Sequence, residues 1–363
     1  MSKRLLLLLA MLVVPVSVRY CAAELDPPQT SKKEEAKPDL SKEGVVIERS
    51  ITKVDFNTDG TSKRQQKTRV RVQSEAGVQQ YGVLNFPYEG SVEHLQIDYV
   101  RVLKPDGTVI VTPPDFVQDM PTEVSRTAPF YSDAREKQVA VKRLSAGDVL
   151  EYAATWQQDR PLAPGNFWFS WQSTKSSVAL DDQLEISFPA DREVKVKSSE
   201  VQSSARSEGK LRILTWKTMH LESESKSATK RDESYETARG LLPSPDVLIS
   251  SFRSWEEVGR WYGGLQSDRV QPSAEVKAKA AELTKDLTDS NVKLKALYDY
   301  VSLRYRYIGI GFGIGRYQPH SAADIIDNQY GDCKDKHTLL AALLSAVGIQ
   351  AYPALMNSSP SSM

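Results

Sequence analysis

The sequence has few cysteines and no excess of charge of either sign. Its 363 residues include two cysteines, and 47 Lys and Arg residues balance 47 Asp and Glu residues. Two cysteines allow at most one internal disulfide, which excludes a disulfide-stapled scaffold. The balanced charge provides no basic field, so no nucleic-acid partner is expected. A hydrophobic fraction of 40% is typical of a globular protein, and the length indicates two domains.

The first 23 residues have the pattern of a secretory signal peptide. Lys3 and Arg4 precede an apolar run at positions 5–14, and Cys-Ala-Ala at 21–23 supplies small residues for cleavage after Ala23. The apolar run is too short to span a bilayer comfortably, which makes an uncleaved anchor the weaker interpretation. We therefore expect a periplasmic or secreted protein with no stable membrane span after signal cleavage.

Signal cleavage would change the cysteine count. The segment 1–23 contains Cys21 and three basic residues but no acidic one, so the mature chain would carry a net charge of −3 and a single cysteine, Cys333. A lone thiol in an oxidising compartment cannot form an internal disulfide. It is either a small buried hydrophobe or a functional group, and its local sequence decides between them.

The mature chain divides into a linker and two domains. Residues 24–44 are rich in proline and charge and predict a disordered linker. Residues 45–245 contain short segments of alternating polarity separated by turn signals, which predicts an antiparallel β-sandwich. An aromatic cluster at 167–171 is interpreted as core packing rather than as a carbohydrate platform. Helical periodicity begins near residue 246 and marks a second domain.

Cys333 is predicted at the first turn of a buried helix. Asp332 is a suitable N-cap, and Asp335 completes a capping box. The apolar face of this helix ends at Gly348, a fitting C′ residue, and residues 349–356 then predict a strand. The helix N-terminus favours the thiolate and offers a backbone N–H to an oxyanion. This placement favours a nucleophile over an inert buried side chain.

Four segments resemble the core of bacterial transglutaminase-like proteins, namely Tyr-Gln-Pro at 317–319, Tyr-Gly-Asp-Cys-Lys-Asp-Lys at 330–336, Leu-Leu at 339–340 and Gly-Ile at 348–349. The β-rich region before them is similar to the domain of unknown function that accompanies such cores in exported bacterial proteins. The resemblance implies a papain-like α+β core with a Cys–His–Asp triad and a thioester intermediate. It implies Cys333 as nucleophile, Gln318 as an oxyanion contributor, a protein or peptide substrate, and no cofactor.

The sequence departs from the family pattern downstream of the cysteine helix. The family places its histidine and acid on strands after that helix, but no His, Asp or Glu follows His337 in this chain. We therefore expect a truncated, N-terminal part of the core with weak or no activity. His337, His320 and Asp332 are candidates for lining the substrate cleft. These residues lack metal-ligand spacing, so no metal site is expected.

Two functions remain in competition. The first is an exported acyltransferase or peptidase that works through a cysteine thioester, and both crosslinking and hydrolysis fit it. The second is a non-catalytic binding or scaffold protein of the cell envelope, with the β-rich domain as its working part. The sequence does not indicate an oligomeric state.

Overall fold

A computed structural model of the chain describes residues 39–127, 133–198, 202–223, 245–308 and 313–355. Strands dominate these residues up to 250 and helices dominate after it, which confirms the predicted order of a β-rich region followed by a helical one. The predicted signal peptide and most of the predicted linker lie outside the described residues.

The β-rich region contains fourteen strands among the described residues. They are β1 (Val45–Phe56), β2 (Ser62–Val72), β3 (Val83–Glu89), β4 (Glu93–Leu103), β5 (Val109–Val111), β6 (Val117–Pro121), β7 (Ala134–Ala140), β8 (Val149–Gln158), β9 (Trp168–Trp171), β10 (Val178–Pro189), β11 (Lys195–Ser198), β12 (Gln202–Glu208), β13 (Leu211–His220) and β14 (Val247–Ser250). The last of these strands follows the predicted domain boundary at residue 245.

The helices, and two short strands among them, complete the described secondary structure. The helices are α1 (Glu75–Tyr81), α2 (Glu123–Thr127), α3 (Trp255–Gln266), α4 (Ala274–Leu283), α5 (Ser290–Arg304), α6 (Ala322–Asn328) and α7 (Cys333–Ala346), and the short strands are β15 (Arg306–Tyr307) and β16 (Tyr330–Gly331). Short 3₁₀ turns lie at Pro114–Phe116 and Gly313–Arg316.

The β-rich region is built on one eight-stranded sheet with the order β12-β13-β10-β1-β2-β8-β4-β5. Two three-stranded sheets, β3-β7-β6 and β11-β14-β9, accompany it. The layered β architecture is confirmed, but the strands are not all antiparallel, because β1 and β10 run parallel at the centre of the large sheet. A parallel pair needs a long crossover connection, and the chain between β1 and β10 forms the other half of the sheet.

Both small sheets cover the same face of the large sheet. One row of register partners crosses it and consists of Leu214, Ile186, Val54, Arg64, Trp156 and Leu95. Partners in register point to the same side of a sheet. Val54 packs in a core with β9 and β14, whereas Trp156 packs in a core with β3 and β7. The two covering sheets therefore lie side by side, above opposite halves of one inner face.

A short helix interrupts the β-rich region, where the sequence predicts no helical segment of useful length. Ser74 caps α1 by accepting a hydrogen bond from the N–H of Gly77 at 3.1 Å. A Cβ atom at Gly77 would lie 2.5 Å from the carbonyl oxygen of Gly44, so glycine is required by close packing. The helix is only seven residues long, which is too short for its periodicity to be recognised.

The helical region packs around α7. Fully buried side chains from α5, α6 and α7 form its core, among them Leu297, Ile325, Leu339 and Leu343. Ser254 caps α3 by accepting the N–H of Glu257, and the helix extends to Gln266. Residues 349–355 form neither strand nor helix, so the predicted strand is wrong over these residues. An isolated extended segment has no ladder to join, and the described residues offer it no neighbouring strand.

An aromatic cluster joins the β-rich region to the helical region. It consists of Trp168 on β9, Phe252, Trp261 on α3 and Tyr317, with neighbouring ring centroids 5.2–5.9 Å apart. The Trp261 indole also donates a hydrogen bond to the carbonyl of Leu162 at 3.1 Å. The sequence cluster at 167–171 therefore has two roles, since Phe167 and Trp171 lie in the sheet core.

Two tryptophans of α3 provide a test of this aromatic joint. We expect Trp261→Ala to lower the free energy of unfolding by about 2–4 kcal/mol, because it leaves a cavity among aromatic rings. Trp255→Ala, six residues earlier on the same helix, removes a ring that is 84% exposed and should change stability by less than about 0.5 kcal/mol. Urea denaturation of both variants measures the difference. Equal losses in the free energy of unfolding would contradict a stabilising role for the aromatic cluster.

Candidate functional site

Cys333 is the first residue of α7, and its side chain is exposed. Asp332 caps the helix, as predicted, and its Oδ1 accepts the N–H groups of Lys334 at 3.0 Å and of Asp335 at 3.2 Å. In turn, Oδ2 of Asp335 accepts the N–H of Asp332 at 3.3 Å, which completes the predicted capping box. The backbone of this turn is therefore fixed while the thiol stays accessible.

The buried carboxylate of Asp335 holds a neighbouring segment against the helix. Its Oδ1 accepts the backbone N–H of His320 at 2.9 Å, and both carboxylate oxygens lie 3.2 Å from His320 Nδ1. Burial alone would raise the pKa of Asp335, but the side-chain and backbone hydrogen bonds of His320 outweigh it and lower the pKa. The carboxylate is thus charged, fully buried and satisfied by hydrogen bonds.

Gly331 is required by this carboxylate. A Cβ atom at residue 331 would lie 2.6 Å from Cβ of Asp335, a distance that real side chains do not tolerate. The sequence predicts only that Gly331 permits a sharp turn before the helix. The structure gives close approach as the physical reason, since the backbone of residue 331 lies directly over Asp335.

The two lysines next to the cysteine are engaged in other contacts. Lys334 is buried and forms an ion pair with Asp332. Burial and the nearby Asp335 charge raise the pKa of Asp332, and Lys334 opposes the shift. Lys336 donates hydrogen bonds to the carbonyl oxygens of Ser302 and Tyr305, at 3.2 and 2.9 Å. Both lysines therefore anchor the helix in addition to contributing positive charge.

Two tyrosines adjoin the thiol and were not found from the sequence. Tyr307 lies on β15 opposite Gly331 on β16, which brings its hydroxyl close enough to Cys333 for the two groups to interact electrostatically. Burial, and then the nearby charges of Cys333 and Asp332, raise the pKa of Tyr307. Tyr262 on α3 has its pKa raised to about 12 by burial and by Cys333. Nothing in the local sequence of either tyrosine indicates this contact, because both approach the cysteine from distant segments.

The predicted cleft residues separate into two groups. His320 and Asp332 belong to the network at the helix start. His337 lies on α7 but turns to the buried Gln266, whose Nε2 hydrogen bonds to His337 Nδ1 at 2.8 Å. Burial lowers the pKa of His337, so the ring is neutral at pH 7. Gln318 lies in the bend between Tyr317 and His320, partly buried.

No group of three or more His, Cys, Asp or Glu side chains within the described ranges is arranged to hold a metal ion.

A second polar cluster lies in the β-rich region, where the Ser173 hydroxyl donates to Asp246 at 2.6 Å and also contacts His220 at 3.0 Å. A serine nucleophile would donate its proton to the imidazole. In this cluster the serine hydroxyl donates to the carboxylate, so the three side chains form a structural network in which Ser173 and Asp246 are buried.

Comparisons with known proteins agree with the resemblance found from the sequence. A domain of unknown function with solved structure, DUF3857, matches residues 58–223, and the transglutaminase-like superfamily matches residues 277–357. The chain is therefore similar to a DUF3857 domain over the first range and to the transglutaminase-like superfamily over the second. The second match spans β15, β16 and α7, and so it includes the cysteine helix. No curated protein matches the chain.

A crystal structure of a candidate protease from Parabacteroides distasonis is similar over 87% of this chain, with a TM-score of 0.67 and 17% identity. The chain covers 62% of that protein's length, and at this identity the likeness concerns the fold alone. An M1 zinc metallopeptidase from Deinococcus radiodurans matches 58% of this chain and 42% of its own, at 10% identity and a TM-score of 0.30. That TM-score is too low to relate the two folds.

Within the described residues, no helix is long and apolar enough to cross a membrane.

The buried carboxylate makes a prediction about stability and pH. Because the pKa of Asp335 is lowered in the folded state, its contribution is present at neutral pH and is lost as the pH falls through the folded value, below about 3.9. We expect Asp335→Asn to lower the free energy of unfolding by at least about 2 kcal/mol at pH 7, because an amide places a donor against the N–H groups that the carboxylate accepts.

The stability gap between Asp335→Asn and the unsubstituted protein should narrow as the pH is lowered below about 4. Asp299→Asn, which removes an exposed i,i+4 partner of Lys295, is the matched control and should cost less than about 0.5 kcal/mol at any pH. Chemical denaturation across the pH range measures both variants. A gap that stays constant with pH would contradict a charged Asp335.

Proposed function

We propose that this protein, in which a DUF3857 domain precedes a transglutaminase-like core, is an exported cysteine acyltransferase or peptidase. The observation that carries the proposal is the exposed thiol of Cys333 at the first position of a capped helix. The family match supports the acyl-transfer class of reaction. The apolar N-terminal segment followed by small residues supports export to the periplasm or the exterior.

The proposed reaction begins with attack of the Cys333 thiolate on the carbonyl carbon of an amide. The C–N bond breaks, the leaving nitrogen takes a proton from solvent and departs as the amine, and a thioester forms. Water or a second amine then attacks the thioester, and the thiol is released with the acid or the new amide as product. Protein and peptide amides are the substrates that the transglutaminase-like and protease-like relatives suggest.

The backbone at the helix start supports stabilisation of the oxyanion. Asp332 accepts the N–H groups of Lys334 and Asp335, but no acceptor in the described part of the chain takes the N–H of Cys333. This N–H is therefore available to the oxygen that becomes negative during attack. Gln318 stays our candidate for a second donor, because its segment is held at the helix start through His320.

The base is the weakest part of the proposed site. Within the described ranges, Tyr307 lies close to Cys333, while His337 pairs with Gln266 and His320 pairs with Asp335. A nucleophilic thiol normally hydrogen bonds to an imidazole that a third group orients. We therefore expect this set of side chains to support covalent reaction of the thiol but little turnover.

This arrangement of the histidines also favours a second candidate function. A binding or scaffold protein of the cell envelope requires no base next to Cys333, and its β-rich region would be the working part. The two functions differ in what the thiol does, so they are separated by the reactivity of Cys333 and by product formation.

The reactivity of the single mature thiol tests the activated nucleophile. At pH 7, we expect iodoacetamide to alkylate Cys333 of the mature protein roughly fivefold or more faster than N-acetylcysteine, because the helix N-terminus stabilises the thiolate. Asp332→Ala should slow alkylation by loosening the first turn of α7. Asp289→Ala removes the corresponding cap of α5 and should leave the rate unchanged. If Cys333 is alkylated no faster than N-acetylcysteine, the proposal that Cys333 is an activated nucleophile is wrong.

Turnover provides a separate test. Incubated with a casein substrate and a fluorescent primary amine, the mature protein should form a covalent acyl-enzyme, visible by mass spectrometry and absent in Cys333→Ala. Multiple turnovers should be slower than acyl-enzyme formation, because His320 and His337 hydrogen bond to Asp335 and Gln266, and neither pairing holds an imidazole on the thiol. Rapid multiple turnover that Cys333→Ala abolishes would overturn the expectation of weak activity, whereas an unmodified thiol would favour the scaffold.

A further inference from the structure

One row of residues across the inner face of the large sheet contains a charged residue among apolar neighbours. In the row of register partners that crosses the sheet, Arg64 lies between Val54 on β1 and Trp156 on β8. Its position falls where one covering sheet ends and the other begins. Arg64 is half-buried at this seam, and a charge that is partly removed from water is costly unless it is paired, which favours a functional reason for it.

The Arg64 guanidinium stacks on the Trp156 ring, with Cζ 4.0 Å from the ring centroid. It makes no ion pair or side-chain hydrogen bond with any described residue. Burial lowers the pKa of Arg64, and the nearby Glu93 charge raises it in part. The guanidinium remains charged at pH 7, since its ordinary pKa is so high. Its hydrogen-bond donors are therefore available to a ligand.

A crevice of about 480 Å³ opens beside Arg64, between the two covering sheets. Its floor includes Ser62 and Gln158, which hydrogen bond to each other at 3.0 Å. Tyr88 of β3 lines one side, and Trp168 of β9 lines the other. Arg316 and Tyr317 of the helical region also line it. The volume suits a few amino-acid residues, and polar groups placed among aromatic walls are typical of a binding site.

Glu89 and Glu93 also line the crevice, so it is not simply a basic pocket. Glu93 Oε2 accepts the backbone N–H of Glu89 at 3.1 Å. A bare anion near Arg64 would be repelled by these carboxylates. A peptide is better suited, because its acidic group can pair with Arg64 while a backbone N–H group faces the second carboxylate oxygen of Glu93.

The crevice is connected to the cysteine helix by a short segment. Tyr317 lines the crevice and packs against Trp168, with ring centroids 5.4 Å apart. Three residues later, His320 is held by Asp335 at the start of α7. A fully extended chain of this length spans at most about 11 Å between Cα atoms. A peptide seated in the crevice would therefore lie close to the segment that borders the thiol.

We propose that this crevice binds an acidic residue of a peptide substrate, with Arg64 pairing its carboxylate and the aromatic walls packing an adjacent apolar side chain. The inference rests on the proposed function only for the peptide nature of the ligand. It assigns substrate recognition to the β-rich region, and chemistry to the helical region.

Calorimetric titration of the full chain in a Cys333→Ala background tests the proposal without acyl transfer. The probes are acetyl-Ala-Phe-Asp-Ala-amide, its Asn counterpart, and the Asn peptide with a free C-terminal carboxylate. We expect the Asp peptide to bind at least tenfold more tightly than the Asn amide. If the free-terminus peptide also binds tightly, the carboxylate is recognised from either source. Equal affinity for the three peptides, or no binding, would overturn the proposal.

Variants on β2 locate the binding site. Arg64→Met should abolish the preference for Asp over Asn without lowering the thermal unfolding midpoint, because an apolar side chain suits the row better than an unpaired charge. Lys63→Met, the adjacent residue on the opposite, exposed face, should keep the preference. Retention of the preference in Arg64→Met would contradict the assignment.

If Arg64→Met does not fold, the Trp156 ring of the protein with Arg64 in place reports binding directly. The Trp156 indole N–H, which donates to the carbonyl of Pro87 at 2.9 Å, should shift in the NMR spectrum on addition of the Asp peptide but not of the Asn amide. An unshifted resonance at saturating peptide would exclude this crevice. Binding is measured in the Cys333→Ala background, so it does not depend on whether the thiol is reactive. Conversely, a failure to bind these peptides would not contradict the proposed thiol chemistry.

Discussion

The buried carboxylate of Asp335 is the interaction on which the cysteine site depends. It connects three parts of the chain: the helix start through the N–H of Asp332, the preceding segment through His320, and the backbone of Gly331 by direct packing. A charge that is fully buried must be satisfied by hydrogen bonds, so these three segments have one low-energy arrangement. Cys333 stays exposed in this arrangement, because the side chains of its two neighbours, Asp332 and Lys334, are buried.

The segment at 315–320 transmits that constraint to the β-rich region. Its His320 end is fixed by Asp335, and its Tyr317 end packs against Trp168 and Trp261. One short segment therefore connects the aromatic cluster, at its Tyr317 end, to the cysteine site, at its His320 end. This connection gives a physical reason for the two regions to act together, since a ligand that reorders the Tyr317 end would also act on the residues beside the thiol.

Features set by local sequence were predictable, and features set by distant contacts were not. The Asp332 cap, the capping box and the end of α7 before Gly348 follow from signals within one or two turns of helix. The pairing of His320 with Asp335 joins residues 15 positions apart, and the contact of Tyr307 with Cys333 needs the β15–β16 pairing. Such contacts depend on the packing of whole elements, which the periodicity of a single sequence does not determine.

The parallel pairing of β1 with β10 has the same origin, and so does the setting of the arginine on the inner face. Alternation along β2 places Arg64 inward as it places Val70 and Val72 inward at the other end of the strand. Within its own strand, Arg64 is one polar residue among several. Only the register across the sheet reveals that its row is otherwise apolar and that it stands at the seam of two cores. The charge there is a cost to folding, and its simplest explanation is a ligand that supplies the missing partner.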